Sequence, residues 1–118
     1  MAYIDGFVIP VPSDRKQEFL DHARIVDAMF LELGATRVVE GWGDDVPAGK
    51  VTDFARAVAA TPDETVAFSW IEWPDKATRD AAFDTMRDDP RMMDTPIPFD
   101  GKRMIFGGFV PILDTDNA

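Results

Sequence analysis

Few side chains in this sequence could carry chemistry. The first is His22, the sequence's one histidine. Its imidazole can serve as a general base or a ligand contact near neutral pH, although a lone histidine is more often a hydrogen-bonded packing group. Glu40 and Glu72 stand inside otherwise apolar runs, where a carboxylate must pair with a cation or have its pKa raised by lost hydration. Arg37, Arg79 and Arg103 can supply such a cation, and a structural ion pair is the commoner use of these residues. His22 and Glu72 are the catalytic candidates. Trp42, Phe68 and Trp70 could line a pocket for a flat apolar ligand, with Arg103 as its charged contact; aromatic rings at these positions also serve as plain core.

Other chemistries lack their residues. There is no cysteine, so disulfides, thiolate metal sites and thiol nucleophiles are ruled out. Asp44, Asp45 and Asp53 cluster after Trp42, as oxygen ligands for a hard cation would. Their spacing matches no EF-hand, and aspartates accepting backbone N–H bonds in a loop account for them more simply, so no metal is expected. The stretch from Gly43 to Lys50 looks superficially like a phosphate loop. Yet five residues separate its glycines, Val51 follows the lysine, and two aspartates would face the phosphates, so no nucleotide site or other cofactor is expected.

The elements that must position these residues are legible from periodicity. Residues 2–11 (AYIDGFVIPV) read as a first strand with both faces covered. Pro12 and Ser13 end it, Ser13 being placed to cap a helix that carries Phe19, Ala23, Val26, Phe30 and Leu33 on one stripe and closes at Gly34. His22 falls on the flank of that stripe, between Met29 and Leu33. Residues 35–43 (ATRVVEGWG) form a second strand, followed by an insertion at about 44–64 in which Phe54 and Val58 hint at one short helix. The third strand, TVAFSWIEW at 65–73, sets Val66, Phe68 and Trp70 against Ala67, Ser69, Ile71 and Trp73 on its other face. A second helix starts at Pro74 and Asp75, packs Ala82, Phe83 and Met86 inward and stops near Pro90. A Pro-rich connection at 90–102 then leads to a last strand at 103–113.

That order, β α β, insertion, β α β, is the split arrangement of an α+β, ferredoxin-like βαββαβ fold with a four-stranded antiparallel sheet, and residues 1–118 are expected to form a single domain. Two helices cover one face of such a sheet. The other face here is apolar, so a second copy of the chain is the expected cover, giving a homodimer.

Twelve Lys and Arg against 22 Asp and Glu give a net charge of -10, which repels phosphate backbones and anionic lipid, so neither nucleic acid nor membrane is an expected partner. The opening residues lack a basic segment, and Asp5, Pro10 and Pro12 break their apolar run; a cytoplasmic location is expected.

Several segments together resemble the YbaA-like bacterial family of unknown function, of the dimeric α+β barrel superfamily. They are YIDGFV from Tyr3, GATRVVEGWGDDVPAGKVTDF from Gly34, ETVAFSWIEWP from Glu64, DPRM from Asp89 and PFDGKRMIFGGF from Pro98. The resemblance implies a sheet-to-sheet dimer closing a barrel, and it brings no catalytic residues with it. The reading that follows is a homodimeric domain without dedicated catalytic machinery that binds a small apolar or aromatic molecule between sheet and helices. The alternative is a cofactor-independent monooxygenase-like enzyme on small aromatic substrates, using His22, Trp70 and Glu72. An acidic partner-binding role for the 44–64 insertion is a third reading.

Overall fold

The first apolar run folds as β1, Tyr3–Pro12, in a computed structural model that describes residues 2–116. Its prolines are tolerated for a topological reason. β1 is an inner strand, but the short β4, Ile105–Phe109, pairs only with Ile4 to Val8, so Pro10 and Pro12 lie beyond its reach. On its other side β1 pairs along its whole length with β3, Glu64–Trp73, which pairs outward with β2, Arg37–Trp42. The order is β2-β3-β1-β4, antiparallel throughout, which is the ferredoxin-like sheet.

Strand alternation sorts the residues onto two faces. One carries Asp5, Phe7, Ile9, Glu40, Ser69, Ile71 and Trp73, and it lies beneath α1, Lys16–Glu32, and α3, Lys76–Arg87. Phe19 of α1 is buried at one end of this layer with Ile9, Val11 and Ala67; Ala82 of α3 is buried at the other with Tyr3, Ile71 and Trp73. Gly34 ends α1 at φ +112°, where a Cβ would also meet the Thr78 side chain at 2.6 Å. Asp75 caps α3 by accepting from the Thr78 N–H at 2.7 Å.

Four local expectations are revised. Ser13 caps no helix: its hydroxyl bonds Thr65 Oγ1 at 2.7 Å, and the chain enters α1 through a 3-10 turn at Ser13–Arg15. Strand β2 begins at Arg37, after Thr36 has turned its N–H and hydroxyl onto the Glu72 carbonyl. The 90–102 connection contains a short helix, α4, Pro90–Asp94, because Asp89 and Pro90 are as good at starting a helix as at stopping one. The last strand ends at Phe109 rather than 113, and Ile112 and Leu113 stand in solvent. The short helix expected around Phe54 is α2, Phe54–Ala57, capped by Asp53. No described helix is long and apolar enough to cross a membrane.

Candidate functional site

Glu40, Ser69 and Phe7 are direct cross-strand neighbours on β2, β3 and β1, so they form one row across the helix-covered face. Above the Glu40 end of that row, α1 brings down His22 and Asp27. The space between is not filled. A cavity of about 240 Å³ lies between α1, the sheet and the segment at 92–104, and its walls are apolar apart from His22, Asp27, Glu40 and Ser69.

Each polar group there has an unusual state with a physical cause. Burial, then the neighbouring charge of Glu40 and a hydrogen bond to it, push Asp27 up to about 8, so Asp27 keeps its proton at neutral pH and donates it towards Glu40. Burial also holds His22 below its ordinary value, leaving the ring neutral. His22 Nδ1 lies 3.0 Å from the Pro96 carbonyl oxygen, which only accepts, so Nδ1 carries the hydrogen and Nε2 the lone pair. The ring meets Phe99 edge-on at 5.7 Å, which ties the loop after α4 to α1. Ser69 is 3% exposed, and neither its Oγ nor Glu40 Oε2 has a hydrogen-bond partner. Two partnerless polar atoms in one apolar cavity are costly to the fold, at about 1–3 kcal/mol for each such group.

A second buried acid on the same face is handled differently. Asp5 is 2% exposed, but Arg79 Nη2 reaches its Oδ1 at 2.8 Å and Trp73 Nε1 its Oδ2 at 2.9 Å. The Arg79 guanidinium lies between Phe83, 4.4 Å away, and Tyr3, 5.3 Å away. The space under α3 is therefore occupied by a satisfied ion pair.

The residues singled out in the sequence are dispersed. His22 lines the cavity. Glu72 and Trp70 lie on the opposite face, where Trp70 Nε1 donates to Glu72 Oε2 at 2.9 Å and Arg37 approaches the same oxygen at 3.6 Å; Glu72 is the cation-paired glutamate, and the structure does not bring it to His22. Phe68 shares that open face with Trp70. Trp42 packs on Phe19 at 6.1 Å, with Lys16 over its ring, outside the cavity lining. Arg103 is engaged by Glu64 at 2.6 and 2.7 Å, by Asp100 and by the Ala59 carbonyl, far from all three aromatic candidates in role. Sequence reasoning considered Glu40 but missed Asp27. Its signal was present: Asp27 is four residues after Ala23 and three before Phe30, a carboxylate within the apolar stripe. Asp53 accepts from the N–H groups of Gly49 and Arg56, the role expected of loop aspartates. Among the described residues no three His, Cys, Asp or Glu side chains converge as metal ligands.

The open face is apolar. Ile4, Val8, Phe68, Trp70, Ile105 and Phe109 surround a shallow depression of about 540 Å³, with Phe68 44% and Phe109 61% exposed.

Comparison with known proteins matches residues 2–101 to the model of a family described as a protein of unknown function, DUF1428. The chain belongs to that family. It is 53% identical to the uncharacterized protein YbaA of Escherichia coli K12 over 116 residues, covering 97% of this chain and 99% of that one, and equally similar to its Shigella flexneri counterpart. Among solved structures it resembles a dimeric ferredoxin-like protein from an uncultured marine organism, with TM-score 0.61, 10% identity and coverage of 97% and 98% of the two chains. A second is a dimeric ferredoxin-like protein of unknown function from Jannaschia sp. CCS1, with TM-score 0.53, 15% identity and coverage of 92% and 99%. At these identities the likeness is one of fold, and it agrees with the ferredoxin-like architecture described above.

Proposed function

We propose that the protein is a homodimer, joined through the open faces of its sheets, in which each subunit holds a small apolar or aromatic molecule in the cavity between α1 and the sheet. The observation that carries the binding role is the cavity itself. It is apolar, about 240 Å³, and has polar groups collected at one place with Ser69 Oγ and Glu40 Oε2 lacking partners. That is the composition of a small ligand site, its volume just below the usual range of about 300–1,000 Å³, and it suits one ring rather than several. The dimer is supported by the exposed apolar face and by the two fold relatives, both described as dimeric ferredoxin-like proteins. With Trp70 and Glu72 on the dimer face, the monooxygenase-like alternative keeps only His22 of its residues beside the cavity.

Native mass spectrometry of the protein purified from its own host tests both parts. The expected spectrum shows twice the chain mass with a reproducible small added mass. A monomer at low micromolar concentration overturns the dimer, and Phe68→Asp, which sets a charge on each side of a two-fold interface, is expected to produce that monomer from a wild-type dimer by weakening association by about 2–4 kcal/mol. A dimer to which no small apolar probe adds mass overturns the binding role.

A further inference from the structure

Which molecules would suit the cavity is set by the balance of donors and acceptors on its wall. Glu40 offers carboxylate oxygens, one of them unpartnered; neutral His22 offers the Nε2 lone pair, since its Nδ1 is committed to Pro96; Ser69 offers an unpartnered hydroxyl. Asp27 holds one proton and aims it at Glu40, so the pair carries one negative charge. From α1 come His22 and Asp27, from β2 Glu40, from β3 Ser69, and what β1, α4 and the 97–104 loop contribute to the lining is apolar or glycine. No lysine or arginine lines the cavity. The contrast with Asp5 is direct: there the compensating cation is Arg79, built into the fold, whereas here no lysine or arginine lines the cavity and the Asp27 proton takes the place of a cation.

We infer that the ligand of this cavity is a small apolar amine, bound with its ring or chain among the aromatic side chains and its ammonium group against Asp27, Glu40 and Ser69. The inference rests on the binding role proposed above and names its chemical class. Carboxylates and phosphates are disfavoured because they would meet acceptors and a negative charge with no cation to offset them. An ammonium supplies the donors the wall lacks, and Phe7, Phe19, Phe30 and Phe99 give it aromatic surroundings.

The test uses the whole protein and three probes of one shape: phenethylamine, phenethyl alcohol and phenylacetate. Binding is followed by the backbone amide shifts of His22, Glu40 and Ser69 in a ¹H–¹⁵N titration. The amine is expected to bind tightest, by about tenfold or more over the alcohol, and phenylacetate weakest. In Glu40→Gln, which keeps shape and loses charge, the preference of amine over alcohol is expected to shrink while alcohol binding persists. The ranking on the unaltered protein needs no variant, so a misfolded substitution cannot mask the answer. An alcohol that binds as well as the amine, or phenylacetate binding tightest, overturns the amine assignment and leaves the apolar pocket standing. Cavity amides that no probe shifts at millimolar concentration overturn the pocket and the amine together.

Discussion

The two long helices, α1 and α3, each lie over an acid on the same face of the sheet, Glu40 and Asp5, and these acids are treated in opposite ways. Under α3, Asp5 is matched by Arg79 and Trp73 and sealed by Tyr3 and Phe83. Under α1, Asp27 and Glu40 face a cavity with neither cation nor sufficient donors. Both sites sit in one layer on one sheet, Asp5 fully buried and Asp27 and Glu40 half-buried. Their difference teaches which acid belongs to the structure: the Asp5 site spends no polar group without a partner, while the Asp27 site retains unpaired groups at a cost to stability, as binding sites do.

Removing each acid should therefore have opposite consequences, and the largest effect is at Asp5. Asp5→Ala leaves Arg79 only the half-exposed Asp80, 3.0 Å from its Nη1, and takes the acceptor from buried Trp73 Nε1, and is expected to cost about 3 kcal/mol in urea unfolding. Asp27→Asn is expected to cost nothing near pH 4 and to become increasingly more stable than wild type as pH rises from there, already so at neutral pH. The sign follows from linkage. A carboxyl raised to about 8 in the folded state, from an ordinary 3.8, contributes stability that is complete below about pH 4 and is lost as pH climbs through 8. The gap between Asp27→Asn and wild type should widen from pH 4 to 8 and then level off. A gap that stays constant with pH would mean Asp27 is ionised throughout, and the two sites would no longer differ.

Ser69→Ala sharpens the comparison with a smaller change. Losing a buried hydroxyl that has no partner should raise stability by about 1 kcal/mol, whereas a destabilisation would show that Ser69 is satisfied in solution. The smallest effect is expected outside both sites, at Glu64. Arg103 hydrogen bonding holds Glu64 down to about 2 from 4.5, so its contribution is complete above about pH 4.5 and disappears as pH falls towards 2. Arg103→Gln should flatten the acid limb of the stability profile there and leave the alkaline side, governed by Asp27, unchanged.

The sequence made the Asp5 half of this contrast harder to see than the fold around it. Strands and helices were readable because alternation in β3 and the stripe of α1 are strong periodic signals, and Gly34 and Asp75 mark helix ends by backbone chemistry that is local. Which acid meets which cation is non-local. Arg79 was as available to Glu40 or Glu72 as to Asp5 until the register of β1 on β3 and the seat of α3 were known. Glu72 found Arg37 because the two are opposed across β2 and β3, a pairing that needs the register and nothing else. Asp27 was passed over because an aspartate on a helix is by default a solvent residue, and only the spacing from Ala23 and Phe30 argued otherwise. Apolar composition predicts the last strand to Leu113, but pairing with β1 stops at Ile4, so β4 ends at Phe109.

The shared proton is the centre of this account, and carboxyl ¹³C titration of Asp27 and Glu40 reads it most directly. Asp27 is expected to titrate near 8 in the wild type and distinctly lower in Glu40→Gln, which removes the neighbouring charge but not the burial. If Asp27 titrates in the ordinary carboxyl range below about 5, it holds no proton at neutral pH and the contrast with Asp5 fails.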